Sequence, residues 1–258
     1  MNKVNSLQSI SVTFMRRFRA AAIHLVICLM AGGLLLALFW KVWYPAPLFT
    51  AVGGTEIFLM LLGIDVVLGP LLTFIVFKDD IRRLKFDLAV VGTIQVCAMV
   101  YGAYTLFEGR PAYIAALGKR FDVVSAAEVA PQELAAAGQS LPLWGPRWVG
   151  VKTADDKQER ERVLFTALAG ADYGHFPQHH VPLEAMHDEL LHNAKPISAL
   201  RKLNPTVDRE ITAWLTERGY SDSTAVFQGL KARTQEMAVI LDAQSAKVIG
   251  IAPFKPWE

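Results

Sequence analysis

Cysteine is scarce in this chain. Among 258 residues only Cys28 and Cys97 occur, both inside long apolar runs. The 150 residues from 109 onward therefore fold without a disulfide and offer no thiol nucleophile. Also missing are GxSxG, a Walker loop, GxGxxG, and the HExxH and HxxEH metal spacings. Nothing in the chain is specific for catalysis, and no cofactor is expected. Charge of one sign is lacking too: 26 Lys and Arg face 24 Asp and Glu. Residues 1–108 hold nine basic and six acidic residues, and 109–258 hold seventeen and eighteen. No basic face argues for nucleic acid. Repeats and low-complexity segments are absent.

Long apolar runs are what the chain does have. Three, about residues 20–40, 57–77 and 86–107, are each about 21 residues, which at ~1.5 Å rise spans roughly the 30 Å of a hydrocarbon core. The first follows Arg16, Arg17 and Arg19, as a signal peptide would. It exceeds the length of a signal h-region, however, and Trp40-Lys41-Val42-Trp43 offers no small-x-small cleavage site, so a retained anchor is predicted. The tail carries Lys3, Arg16, Arg17 and Arg19 with no acid. The second loop carries Lys78, Arg82, Arg83 and Lys85, while the first has only Lys41. The positive-inside rule then places the N-terminus and second loop in the cytoplasm and everything after Phe107 outside. Trp40, Trp43 and Tyr44 are expected in an outer aromatic belt.

The predicted organisation is a cytoplasmic tail (1–19), a three-helix transmembrane bundle (20–108) and a small exported α+β domain (109–258). In that domain the pattern predicts strands at 119–125 and 147–151, and helices at 126–137, from Thr153 to before Gly170, at 183–193 and at 206–218. A C-terminal β-hairpin is expected from 237–241 and 247–251, joined by five residues.

Two groups of residues invite a chemical reading. His175, His179, His180, His187 and His192 lie within eighteen residues. His187 with Asp188 and Glu189, or with Asn193, has the donor types for zinc, but Pro177 and Pro182 make the stretch loop-like. A solvated or interface-lining loop is the favoured reading and no metal site is assigned. In the second run, LLGIDVVLGPLLTFIVF, Asp65 lies about eight residues, or ~12 Å, from the outer end of the helix. A charge there costs ~2.5–3.5 kcal/mol and is expected to face helices or water. Gly69 and Thr73 follow at i+4 and i+8 on the same face, and Pro70 cannot donate to the Val66 carbonyl and should kink the helix. This small, polar, bent face suits close contact with another helix. The partner is either the third run, through a bond from the Gln95 amide to the Asp65 carboxylate, or an external helix. A proton relay would need a chain of titratable groups, and His24 is the only other candidate.

Several motifs in order resemble the TfpX/TfpZ type IV pilin accessory family. They are Tyr44-Pro45-Ala46-Pro47, Gly53-Gly54, Asp65-Val66-Val67-Leu68-Gly69-Pro70-Leu71-Leu72-Thr73, Asp87, Gln95, Tyr101-Gly102 and Arg110-Pro111, over roughly residues 40–125. The resemblance implies a non-enzymatic, multi-pass protein of the inner membrane of Gram-negative bacteria, with a periplasmic C-terminal domain. It implies a chaperone or modulator of pilus assembly whose partners are the major pilin and other assembly components. Tyr44, Pro45, Pro47, Gly53, Gly54, Tyr101, Gly102, Arg110 and Pro111 would mark the membrane–periplasm junction. Two alternatives compete. A membrane-anchored ligand sensor would need a cytoplasmic output element larger than a tail of about 19 residues. A proton-coupled transporter centred on Asp65 would need more helices and inverted repeats.

Overall fold

The computed structural model describes residues 2–77, 81–167 and 170–257, and the side chains from residue 14 onward except those of 81 and 82. Lys78 and Leu168, and the side chains of Lys3 and Arg82, lie outside that description. The chain divides into two compact units. The first is Met1–Phe39 with Thr55–Leu106; the second is Trp40–Gly54 with Phe107–Glu258.

Three long helices dominate the first unit: α1 (Asn2–Leu38), which runs on through a π-helical turn (Phe39–Trp43), α3 (Gly54–Val76) and α4 (Ile81–Glu108). Phe14–Trp43, Gly54–Val76 and Arg83–Glu108 are long and apolar enough to cross a membrane. A helix bonds its whole backbone internally, as a hydrocarbon environment requires.

The second unit is a curled eight-stranded mixed sheet with helices. Its strands are β1 (Pro111–Ala116), β2 (Arg120–Ser125), β3 (Arg147–Val151), β4 (His180–Val181), β5 (Lys195–Pro196), β6 (Ala225–Lys231), β7 (Met237–Asp242) and β8 (Val248–Ala252). The order is β4-β3-β1-β2-β6-β7-β8, with β5 also on β6. β1 pairs parallel with β3, β2 parallel with β6, and the remaining pairs are antiparallel. Side chains alternate between faces along a strand. In β7, Met237, Val239 and Leu241 therefore enter one core with Ile114 and Phe121, while Ala238 and Ile240 enter another with Phe227. After α7 (His187–Asn193), helices α8 (Ile197–Leu203) and α9 (Asp208–Glu217) cover that second face with Ile197, Leu200, Ile211 and Leu215. Tyr113, Ala115, Val124 and Val149 form a third cluster.

The expected hairpin is present as β7–β8, with Leu241 opposite Val248. The helix expected over 126–137 is broken into a 3-10 turn (Ala126–Glu128) and α5 (Pro131–Ala136), with Ala130 extended between them. Pro131 is the cause, since the residue before a proline is driven out of the helical region. α6 (Lys157–Ala167) begins later than Thr153 because Asp156 supplies the cap, its carboxylate accepting from the Glu159 N–H at 2.9 Å.

The main departure concerns the stretch between the first two apolar runs, read from sequence as a loop over about 41–56. Residues 40–54 fold with the second unit. The one-turn helix α2 (Leu48–Ala51) places Leu48 and Ala51, 1% and 0% exposed, in the core with Phe121, Leu230 and Val239. The Ala51 carbonyl accepts from the N–H groups of Thr234 (2.9 Å) and Gln235 (3.1 Å).

Candidate functional site

In the first unit the polar residues meet. Cys28, Asp65 and Gln95 each stand at the midpoint of a candidate span. The Gln95 amide nitrogen lies 3.3 Å from the main-chain carbonyl of Asp65 and 3.9 Å from Cys28 Sγ. The Gln95 amide thus donates to the Asp65 main-chain carbonyl, one residue before the Val66 carbonyl that Pro70 leaves without its helical donor. Gly69 makes this approach feasible, because a Cβ there would overlap the Gln95 amide. Two turns along α3, Thr73 Oγ1 is 2.5 Å from His24 Nδ1. Asp65 and Thr73 are buried, 9% and 2% exposed. Leu62 packs where a Cβ on Gly32 would sit, and Leu61 does so at Gly102, so small residues bring α1 and α4 against α3. Asp65, Gly69 and Thr73 thus face the chain's own helices.

The junction residues divide between the units. Tyr44 is 1% exposed, its ring edge-on to Phe49 at 5.4 Å, so it belongs to the core of the second unit and not to an aromatic belt. Burial raises its phenol above the ordinary range. The Ala46–Pro47 peptide is cis, and Gly53 takes φ +80° to turn the chain out of α2, a conformation that favours glycine. Gly54 leaves no room for a Cβ beside Phe49. Arg110 is 3% exposed; its guanidinium lies 3.8 Å over the Phe107 ring and donates to the carbonyls of Phe107 (2.6 Å) and Pro142 (3.4 Å). Pro111 opens β1, and the Arg110 carbonyl accepts from Ala126 N–H at 2.8 Å. Tyr101 is exposed on α4.

A "Fimbrial assembly protein, serogroups C1 and C2" of Dichelobacter nodosus is 37% identical over 101 residues, covering 76% of that protein and 38% of this chain. The chain belongs to the fimbrial assembly protein family. The serogroup I and E1 fimbrial assembly proteins of the same organism are 29% and 27% identical over 237 residues, taking in 89% of this chain and 92% of each relative. No family profile matches the chain, and no solved structure does.

In this fimbrial assembly family member four of the five clustered histidines, His175, His179, His180 and His187, each meet a partner. His179 Nε2 is 3.0 Å from Glu159, His187 Nδ1 is 2.8 Å from Asp188, His175 Nδ1 is 3.0 Å from the Asp172 backbone, and His180 Nε2 donates to the Gly174 carbonyl at 2.9 Å. Among the described residues no three potential ligands converge. Arg162 bridges Glu133 and Glu159, tying α5 to α6, and its guanidinium is the main cause of a Glu159 pKa of about 2. Sequence spacing missed this group because its members come from separate segments.

His180 provides a pH prediction. Burial is the main cause that pushes its imidazole below the ordinary 6.5, against the opposing effect of the Gly174 bond. As pH falls below about 6.5 the unfolded chain takes up this proton first, so stability present at neutral pH is lost toward the lower folded value. Thermal unfolding of the wild type should show that loss in mildly acidic buffer. His180→Asn should show a flatter dependence, and an equal slope would exclude His180 as its source.

Proposed function

We propose that this protein is an inner-membrane accessory factor of type IV pilus assembly, of the TfpX/TfpZ kind, which binds the major pilin and acts without catalysis. The relationship to fimbrial assembly proteins over 89% of the chain carries this reading. In it, the N-terminus is cytoplasmic, three helices span the bilayer and the C-terminal unit is periplasmic. The packing of residues 40–54 with 107–258 supports that arrangement, since a chain crossing three times leaves its first loop and its C-terminal region on one side.

A pilin with a membrane helix and an external head is met at two places, so two weak contacts reinforce each other through effective concentration. Because Gly69 and Thr73 face inward, the pilin helix is assigned to the outer side of α3, where Met60, Ile64, Val67 and Leu71 are exposed at helical spacing. Photo-crosslinkers at Met60 and Val67 should capture pilin; capture at neither, with capture from the C-terminal unit alone, would remove the membrane half of the proposal.

Deletion should lower the number of surface pili. Unchanged pilin would indicate an assembly role, lower pilin a protective chaperone, and an unchanged pilus count would reject the proposal. Asp65→Asn should retain piliation while Asp65→Leu loses it, because asparagine keeps hydrogen-bonding capacity within the helix bundle. Loss of piliation in both, at normal protein levels, would return the proton relay to consideration.

A further inference from the structure

The loop Leu141–Pro146 is tied to the chain at two points that also border the membrane spans. Gly145 lies beside Val42, whose carbonyl is 3.6 Å from where a glycine Cβ would stand. Val42 belongs to the first candidate span, which ends at Trp43. At the other side of the loop, the Pro142 carbonyl accepts from Arg110, whose guanidinium stacks on Phe107. Phe107 lies in the third span, which ends at Glu108. Trp43 and Phe107 complete the arrangement, their rings 4.8 Å apart. Leu141 packs against the core cluster containing Tyr113, which anchors the base of the loop.

Between these ties, Leu143 and Trp144 face outward, 56% and 81% exposed. Trp40 is also exposed, at 54%. An open cleft of about 510 Å³ beside the loop is lined by Trp144, Trp148, Ile251 and Lys41. A tryptophan so exposed on a water-facing loop leaves a large apolar surface hydrated. At the level where a hydrocarbon span meets headgroups, its amphipathic ring is favoured, and a neighbouring lysine meets phosphate.

We infer that the Leu143–Trp144 tip is an interfacial anchor that inserts into the phospholipid headgroup region of the outer leaflet. It restrains the C-terminal unit at the bilayer surface beyond what the covalent chain connections impose. The occupant is lipid because the tip is tethered to residues at the ends of two membrane spans, which sets its depth whether or not another protein is present. This inference requires the three spans but does not depend on pilin binding.

The test uses the full chain in phospholipid nanodiscs with a nitroxide at Trp144→Cys, in a Cys28→Ser and Cys97→Ser background. Trp144 is mostly exposed, so the substitution should leave the fold intact. A label at Lys157→Cys serves as the aqueous control, that side chain being 82% exposed. Collisions with dissolved oxygen should exceed those with a water-soluble nickel chelate at position 144, and the reverse should hold at 157. As a second readout, Trp144→Ser with Leu143→Ser should raise the rate at which added protease cuts this loop in nanodiscs. Chelate collisions at 144 equal to those at 157 would overturn the anchor. So would protection that arises only when purified pilin is added, which would make the loop a protein-recognition surface, or only at high protein density, which would indicate a second copy.

Discussion

Replacing Leu48 by alanine should lower the stability of the C-terminal unit by about 2–5 kcal/mol, the cost of truncating a fully buried leucine. The expectation is unusual for a residue in the short stretch that joins two helices long and apolar enough to cross a membrane. It follows because Leu48 is 1% exposed in the core that also holds Phe121, Leu230, Met237 and Val239. Thermal unfolding in detergent, followed through the tertiary signal of the sheet, reads this loss. A larger effect is expected when the whole segment is removed. A fragment starting at Phe107 lacks Tyr44, Leu48 and Ala51 and leaves the N–H groups of Thr234 and Gln235 without the Ala51 carbonyl. It should expose apolar surface and bind a hydrophobic dye, while the same fragment with residues 40–54 fused ahead of it should not. Equal dye binding and equal cooperativity for the two fragments would show that the segment is dispensable to the fold.

The second large effect is expected at Gly69. A Cβ on this glycine would overlap the Gln95 amide, so Gly69→Leu must displace Gln95 or push α3 from α4. The overlapping atoms are the end of a flexible side chain, so the cost is that of turning the Gln95 amide off the Asp65 carbonyl and leaving it unpaired, about 1–3 kcal/mol. Replacing a helical glycine also gains about 0.5–1 kcal/mol of backbone entropy, and at this position the lost hydrogen bond should win. Gly63 is the internal control: it lies in the same helix, and a Cβ there would meet nothing within 4 Å. Gly63→Leu should therefore be neutral or mildly stabilising, while Gly69→Leu should lower both membrane levels of the protein and piliation. Equal levels for the two variants would mean that the Gly69–Gln95 approach does not hold the helices together.

Some features could be read locally. The three long apolar runs are visible because a membrane helix needs about twenty residues of one character, a signal that no tertiary contact has to supply. Arg147–Val151 and the β7–β8 hairpin were legible for a similar reason, since strand-forming residues are bounded there by turn residues. β1 was harder to see. PAYIAA directly follows the third apolar run, and both of its faces are buried, so it lacks the alternation that marks a half-exposed strand. β6 has the same difficulty, with Phe227 and Leu230 entering opposite cores. In the first unit, the composition of Asp65, Gly69, Pro70 and Thr73 indicated a helix-contact face. Which atom of Asp65 receives Gln95 was not legible, because that depends on the depth and rotation at which α4 meets α3.

The sequence by itself determined where helices long enough to cross a membrane lie and that the part after them mixes helix and strand. It also determined that a carboxylate stands at the centre of an apolar run. These are local properties of composition and period. Only the tertiary structure decided that residues 40–54 fold with the C-terminal unit and lend Leu48 and Ala51 to its core, that the Asp65–Gly69–Thr73 face is used by the chain's own helices, and that Tyr44 is buried while Trp144 is not. Each of these depends on contacts between segments tens to nearly two hundred residues apart, and such contacts are set by the shape of the packed surfaces and leave no periodic trace along the chain.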